Sequence, residues 1–198
     1  MPAKPTPAIP ASTPQAHAVL GPLLRYWQQK CGARSLPSRR DIDPLEMGPN
    51  LLPHLLLTDL LDRGTRVRFR LVGTTLVRRW GFDPTGRYLD GEMKGGWWES
   101  LAAFHRLAYA ERAPLYGESE FLWDAERRLE ARALLLPLTQ DGPDPAIALS
   151  AVVFASNEAF VPTLRALVGV ATHGERTRQV LKDLPSPGSA HVSGREVA

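Results

Sequence analysis

The sequence predicts an α+β domain, a five-stranded antiparallel sheet with helices inserted after the second strand and an N-terminal amphipathic helix in front. Three observations carry this prediction. The run Arg66-Val67-Arg68-Phe69-Arg70-Leu71 alternates charged and apolar residues strictly, which places Val67, Phe69 and Leu71 on one face of a strand and the arginines on the other. Two strand patterns precede the helical stretch that begins at Trp97, and three follow it. The length of 198 residues, with 43% hydrophobic and 23% charged residues, suits one globular domain with some extra chain and needs no second core.

Composition narrows the function classes. The formal charge of +3 is mildly basic, but Asp and Glu are spread among the arginines, so no concentrated stripe points to nucleic acid. The single Cys31 excludes an intrachain disulfide and any Cys-rich metal site. No apolar run approaches the roughly 20 residues of a membrane span, and the N-terminus lacks the apolar core of a signal peptide. The expectation is a cytoplasmic protein with no nucleic-acid and no membrane partner.

In chain order, residues 1–15 are a Pro/Ala-rich segment with almost no large apolar side chain, expected to be a disordered tail, and residues 185–198 share that character. Residues 16–35 hold the amphipathic helix, with Leu20, Leu24, Trp27 and Cys31 on one stripe, Pro22 in its first turn and Gly32 as its stop. The stripe needs a cover, either its own domain or a second copy, and a homodimer through this helix is the expected assembly. Residues 36–157 form the domain proper. It opens with a linker that ends in Asp43 as N-cap and Pro44 in the first turn of a short helix, cut off by Gly48-Pro49.

Leu55-Leu56-Leu57-Thr58-Asp59-Leu60-Leu61 reads as a strand buried on both faces, joined through Asp62-Arg63-Gly64 to the arginine strand as a hairpin. Gly73 breaks that strand, and Thr74 is expected to cap a short helix carrying Leu76, Val77 and Trp80, which Gly81 ends. After a Gly-containing loop, residues 97–112 read as a helix with Trp97, Leu101, Phe104 and Ala108 as its main stripe, flanked by Trp98, His105 and Tyr109. Strands follow from Pro114 to Trp123, over residues 128–135 and over residues 147–154, with turns near Asp124-Ala125-Glu126 and Gly142. Residues 158–184 are a C-terminal extension that reads as a helix pair or a helix and a strand.

The order of strands and helices matches the PAS fold. Trp27, Leu36-Pro37-Ser38-Arg39, Asp41-Ile42-Asp43-Pro44, Leu51-Leu52-Pro53, Phe69-Arg70-Leu71-Val72-Gly73-Thr74, Gly81 and Thr85-Gly86-Arg87 resemble a family of small bacterial single-domain PAS proteins of unknown function. The resemblance covers roughly residues 27–154, and the arginine strand with the Thr-Gly-Arg corner is its most specific part. It implies a sensory or regulatory module that binds a small ligand, a signalling protein such as a sensor kinase, or both. It carries over no catalytic residue.

In a PAS-like cup, a ligand would lie between the inner sheet face and the inserted helices, walled by Phe69, Leu71, Trp97, Trp98, Leu101, His105 and Tyr116. The same side chains are also ordinary core material. Arg70 and Arg87 could fork onto a carboxylate or phosphate, or one of them could pair with Asp83 or cap a helix carbonyl and fix the corner. Thr74, as N-cap, would contribute about 1 kcal/mol.

The cofactor is unknown. A cysteine-adduct flavin is disfavoured because Cys31 lies at the end of the first helix. Haem through His105 is disfavoured because a lone helix histidine is more often packed or hydrogen-bonded than a ligand. His17, His54, His173 and His191 have no metal spacing. Two other classes stand beside the sensor: a protein-binding adaptor with a closed cavity, and an enzyme on a similar cone-shaped fold. The enzyme would need an acid–base pair, for which Glu118 and Glu120 are the available carboxylates.

Overall fold

The computed structural model describes residues 17–89, 93, 96–122, 128–155, 163–169 and 179–183, and among these described residues are four α-helices and one antiparallel sheet. The tails expected at 1–15 and 185–198 and the turn at Asp124-Ala125-Glu126 lie outside the described residues. In chain order come α1 (Leu20–Cys31), α2 (Pro44–Met47), β1 (Leu55–Leu61), β2 (Arg66–Val72), α3 (Thr74–Trp80), α4 (Gly96–Glu111), β3 (Leu115–Leu122), β4 (Arg128–Thr139), β5 (Pro145–Ala155), β6 (Thr163–Gly169) and β7 (Gln179–Asp183). The sheet order is β2-β1-β5-β4-β3-β6-β7. Its first five strands are the predicted α+β sheet, with α3 and α4 inserted after the second strand.

The extension departs from expectation. Residues 158–184 were expected to contain a helix, yet β6 and β7 are strands, with β6 pairing antiparallel to β3 from Leu115↔Ala166 to Glu118↔Thr163 and β7 pairing to β6. An open strand edge supplies backbone partners that a short apolar segment lacks alone, and tertiary pairing overrides local pattern.

Local chemistry sets the helix ends. Asp43 Oδ1 accepts from the Leu45 N–H (2.9 Å), capping α2 ahead of Pro44. Gly32 follows α1 with φ 55°, and Gly81 closes α3 in the left-handed region, its N–H donating to the Val77 carbonyl (2.9 Å).

The sheet is covered on both sides. On the inner face, Leu56, Leu60, Val67, Phe69, Leu115, Ala131, Leu135, Ala148 and Val152 pack against Leu76 and Trp80 of α3 and Leu101, Phe104 and Ala108 of α4. On the outer face, Leu134, Leu136, Leu138, Ile147, Leu149, Ala151 and Val153 meet the α1 stripe Leu20, Leu23, Leu24, Trp27 and Cys31. The stripe of α1 is thus spent on its own domain, and the Trp27 indole Nε1 donates to the Pro137 carbonyl (2.9 Å) within that layer.

Gly73 joins β2 to α3 at an ordinary φ of −64°, so backbone freedom does not require glycine there. Space does: a Cβ would lie 2.3 Å from the Pro53 carbonyl oxygen, while the Gly73 N–H donates to the Leu55 carbonyl (2.8 Å). Gly73→Ala should therefore destabilise the fold by about 2–3 kcal/mol, read from the urea midpoint at unchanged slope. Gly142→Ala, where a Cβ meets nothing within 4 Å, should stay within about 0.5 kcal/mol of the parent.

Candidate functional site

The β1–β2 hairpin carries a bulge that decides where its side chains go. Leu57 faces Leu71 and Thr58 faces Phe69, so two consecutive residues of β1 span three of β2 and Arg70 is the extra one. Up to Phe69 the alternation holds, with Val67 and Phe69 buried on the inner face. Beyond it the pattern slips by one residue. Arg70 and Leu71 both point outward, and Leu71 is 48% exposed. The expectation that Leu71 walls an inner chamber is corrected on this ground: a period of two predicts the face only while the ladder is unbroken.

The inner face holds Phe69, Trp98, Leu101 and His105 together, as expected. Phe69 meets Trp80 and Trp98 edge-on, with centroids 6.2 and 6.4 Å apart, and Trp80 meets Trp98 at 5.2 Å. Tyr116 is buried on the opposite face, in the layer with α1, because it alternates with the inward Leu115. It therefore does not belong with His105. The side chain of Trp97 lies outside the described residues.

His105 is fully buried. The Leu101 carbonyl can only accept, so His105 Nδ1 carries the proton and donates to it (2.7 Å), leaving Nε2 to accept from the Thr58 hydroxyl (3.0 Å). That hydroxyl also lies 3.5 Å from the Ala148 carbonyl, but its single proton goes to the nearer acceptor. Helix α4 is thereby tied to β1 through two neutral side chains, and both ring nitrogens that a haem iron would compete for are engaged by the protein. Burial pushes the imidazole pKa down to about 4, against a smaller opposing pull from the Leu101 carbonyl. Cys31 is likewise buried, and burial pushes its thiol up to about 11, which keeps it protonated and unreactive near neutrality.

The outer face of the hairpin carries charge. Asp59 projects from β1 opposite Arg68. Its Oδ2 accepts from Arg68 Nε (2.9 Å) and Nη2 (2.7 Å), and its Oδ1 accepts from Arg70 Nη1 (3.2 Å). The Asp59 side chain is only 9% exposed, whereas those of Arg68 and Arg70 are 45% and 41% exposed. Arg70 therefore pairs with Asp59, and the expected pairing of an arginine with Asp83 is corrected. Asp83 Oδ1 instead accepts from the backbone and hydroxyl of Thr85 (2.9 and 2.6 Å), fixing the Thr-Gly-Arg corner and holding its own carboxyl below the usual range.

That corner closes part of the sheet edge. The Phe69 N–H donates to the Arg87 carbonyl (3.0 Å), and the Gly86 N–H donates to the Phe69 carbonyl (2.8 Å). Arg87 thus contributes through its backbone, with an exposed guanidinium 6.0 Å from the Phe82 ring. Thr74 is exposed in the first turn of α3, whose N-cap is Gly73 with no side-chain cap, so its expected capping role is corrected. Between β2 and the corner runs an open groove of about 240 Å³ lined by Arg68, Phe69, Arg70, Thr85 and Gly86.

Asp59, Thr58, Arg68 and Trp80 are the residues that site reasoning from sequence missed. Counting back from the hairpin turn pairs Leu61 with Arg66, Leu60 with Val67 and Asp59 with Arg68. A lone acid in an otherwise apolar strand, opposite an arginine strand, was the available signal. Glu118, a carboxylate considered for acid–base chemistry, accepts from the Tyr116 hydroxyl and lies 3.3 Å from Arg132 Nε on the outer face. The side chain of Glu120 lies outside the described residues.

The depressed pKa of His105 has a defined pH consequence. The unfolded chain takes up the proton near pH 6.5, and the folded one only near pH 4. Stability is therefore complete above the unfolded value and is lost as pH falls through the window between the two. At about pH 5 the loss through this residue should be about 2 kcal/mol relative to neutral pH. Urea unfolding of the parent and of His105→Leu at both pH values checks this, with the variant expected to lose most of the slope.

Comparison with known proteins agrees with this architecture. No curated protein matches the chain at a significant level. The PAS domain family matches residues 15–152, from just before α1 to within β5, which takes in both hairpin strands, the inserted helices and the aromatic cluster. Spanning more than half of the chain, that match makes this protein a member of the PAS domain family, whose domains are in general sensory or regulatory modules.

Proposed function

We propose that this chain is a regulatory PAS module without catalysis of its own, which works by contact with a signalling protein such as a sensor kinase over a closed inner core. The observation that carries this reading is the mutual packing of Phe69, Trp80 and Trp98, three large rings in edge-on contact at the place where a ligand would sit. Rings that satisfy one another in this way leave binding to the surface. The absence of catalysis is supported by the engagement of Glu118 with Tyr116 and Arg132. A cytoplasmic setting is part of the proposal.

A homodimer through α1 would have to use the helix face bearing Arg25, Gln28 and Gln29, since the apolar stripe already covers the sheet.

A second reading, a small-ligand sensor, is favoured by a separate observation. Trp80 Nε1 and Ser150 Oγ are buried without hydrogen-bond partners, Trp80 in the inner core and Ser150 opposite the inward Leu56. Unpaired buried polar atoms are costly, and a bound molecule or water would relieve them.

Native mass spectrometry of the full chain, purified without unfolding, separates the two. The expected result is the mass of the polypeptide or an integer multiple of it. An additional organic mass that survives gentle desolvation would replace the closed-core reading with the sensor.

A further inference from the structure

We infer that the outward face of the β1–β2 hairpin, around the Arg68–Asp59–Arg70 clamp, docks an acidic segment of a partner protein that also carries apolar side chains. The inference rests on the contact-based regulatory reading and names the chemistry of its partner.

The clamp is built to present charge. Asp59 uses one carboxylate to hold two guanidiniums, so the group carries a net positive charge, and its negative member is the buried one. Both arginine side chains remain close to half exposed while their positions are fixed by the bonds to Asp59. Forks ordered in advance lose little side-chain freedom when a carboxylate arrives.

Shape and polarity point the same way. The groove beside the clamp is open and about 240 Å³ in volume, room for a side chain lying across it. An isolated small anion there would keep most of its water and gain little, whereas several carboxylates on one segment add their contacts. The bulge sets the exposed Leu71 on the same outer face as the arginines, giving an apolar foothold next to the charge. Helix α1 covers the β4–β5 part of this face and leaves the arginine end of the hairpin open. Nucleic acid fits less well, because the exposed Leu71 offers a phosphate backbone nothing.

The test uses the full chain and a fluorescein-labelled peptide of mixed Glu and Leu, followed by fluorescence anisotropy. Binding should weaken as salt rises and should fall about tenfold in Arg70→Ala, which leaves both Arg68 bonds to Asp59 in place. Leu71→Asp, a change at an exposed side chain, should produce a similar loss by setting like charge against the peptide, while Arg25→Ala on the exposed face of α1 should change nothing. Unaltered affinity in both hairpin variants, no binding by the parent, or tighter binding of inorganic phosphate or a single-stranded oligonucleotide would overturn the inference. An organic mass in the native spectrum with intact peptide binding would remove the closed core alone, and a clean spectrum without peptide binding would remove the docking surface alone.

Discussion

A single unpaired residue in the β1–β2 ladder sets most of what lies around it. Without the bulge at Arg70, strict alternation would carry Leu71 into the inner core and Val72 out of it. With it, Val72 returns to the inner face opposite Leu56, and the two residues before it stand together on the outside. The bulge thereby fixes the inward limit of the aromatic cluster at Phe69. Arg70 faces outward by alternation in any case and bonds to Asp59 beside Arg68, and what the bulge adds to that face is Leu71.

The two faces of the sheet consequently do different work. Inside, large rings and leucines are cross-tied by one neutral polar pair, His105 with Thr58, which fixes α4 over β1 at a position that hydrophobic packing alone would leave free to slide. Outside, α1 lies on β4 and β5, and the charged end of the hairpin is left to solvent. A regulatory domain needs a stable interior and an exterior that can be occupied or vacated, and this sheet separates the two by strand rather than by domain.

Much of the fold was legible in the sequence because its cues are local. Gly32 and Gly81 as stops, Asp43-Pro44 as a start and the period-two arginine strand each act within a few residues, and each marks the boundary expected of it. The site was less legible because it depends on register. Tyr116 has the composition of a cavity residue, yet its parity along β3 sends it to the opposite layer from His105. Leu71 was misplaced by one slipped residue, and Asp59 was hidden because a strand that is apolar on both faces gives no period to read. Strands β6 and β7 followed no local rule, since β6 forms against an edge that only the folded sheet provides and β7 forms against β6.

Pro137 occupies the stretch of β4 that outruns β3, whose pairing ends at Leu115↔Leu135 while β5 continues alongside as far as Thr139. A proline there forfeits no ladder bond, and the groups facing away from β5 are taken up by the N-terminal part of the chain: Trp27 holds the Pro137 carbonyl, and the Thr139 N–H donates to the Pro37 carbonyl (3.0 Å). The first helix and its linker therefore complete the sheet as a missing half-strand would. A truncation that begins after Pro37 would yield a different object, a sheet with bare leucines on one side and an unsealed notch in its fourth strand, and its stickiness would say nothing about the partners of the intact protein.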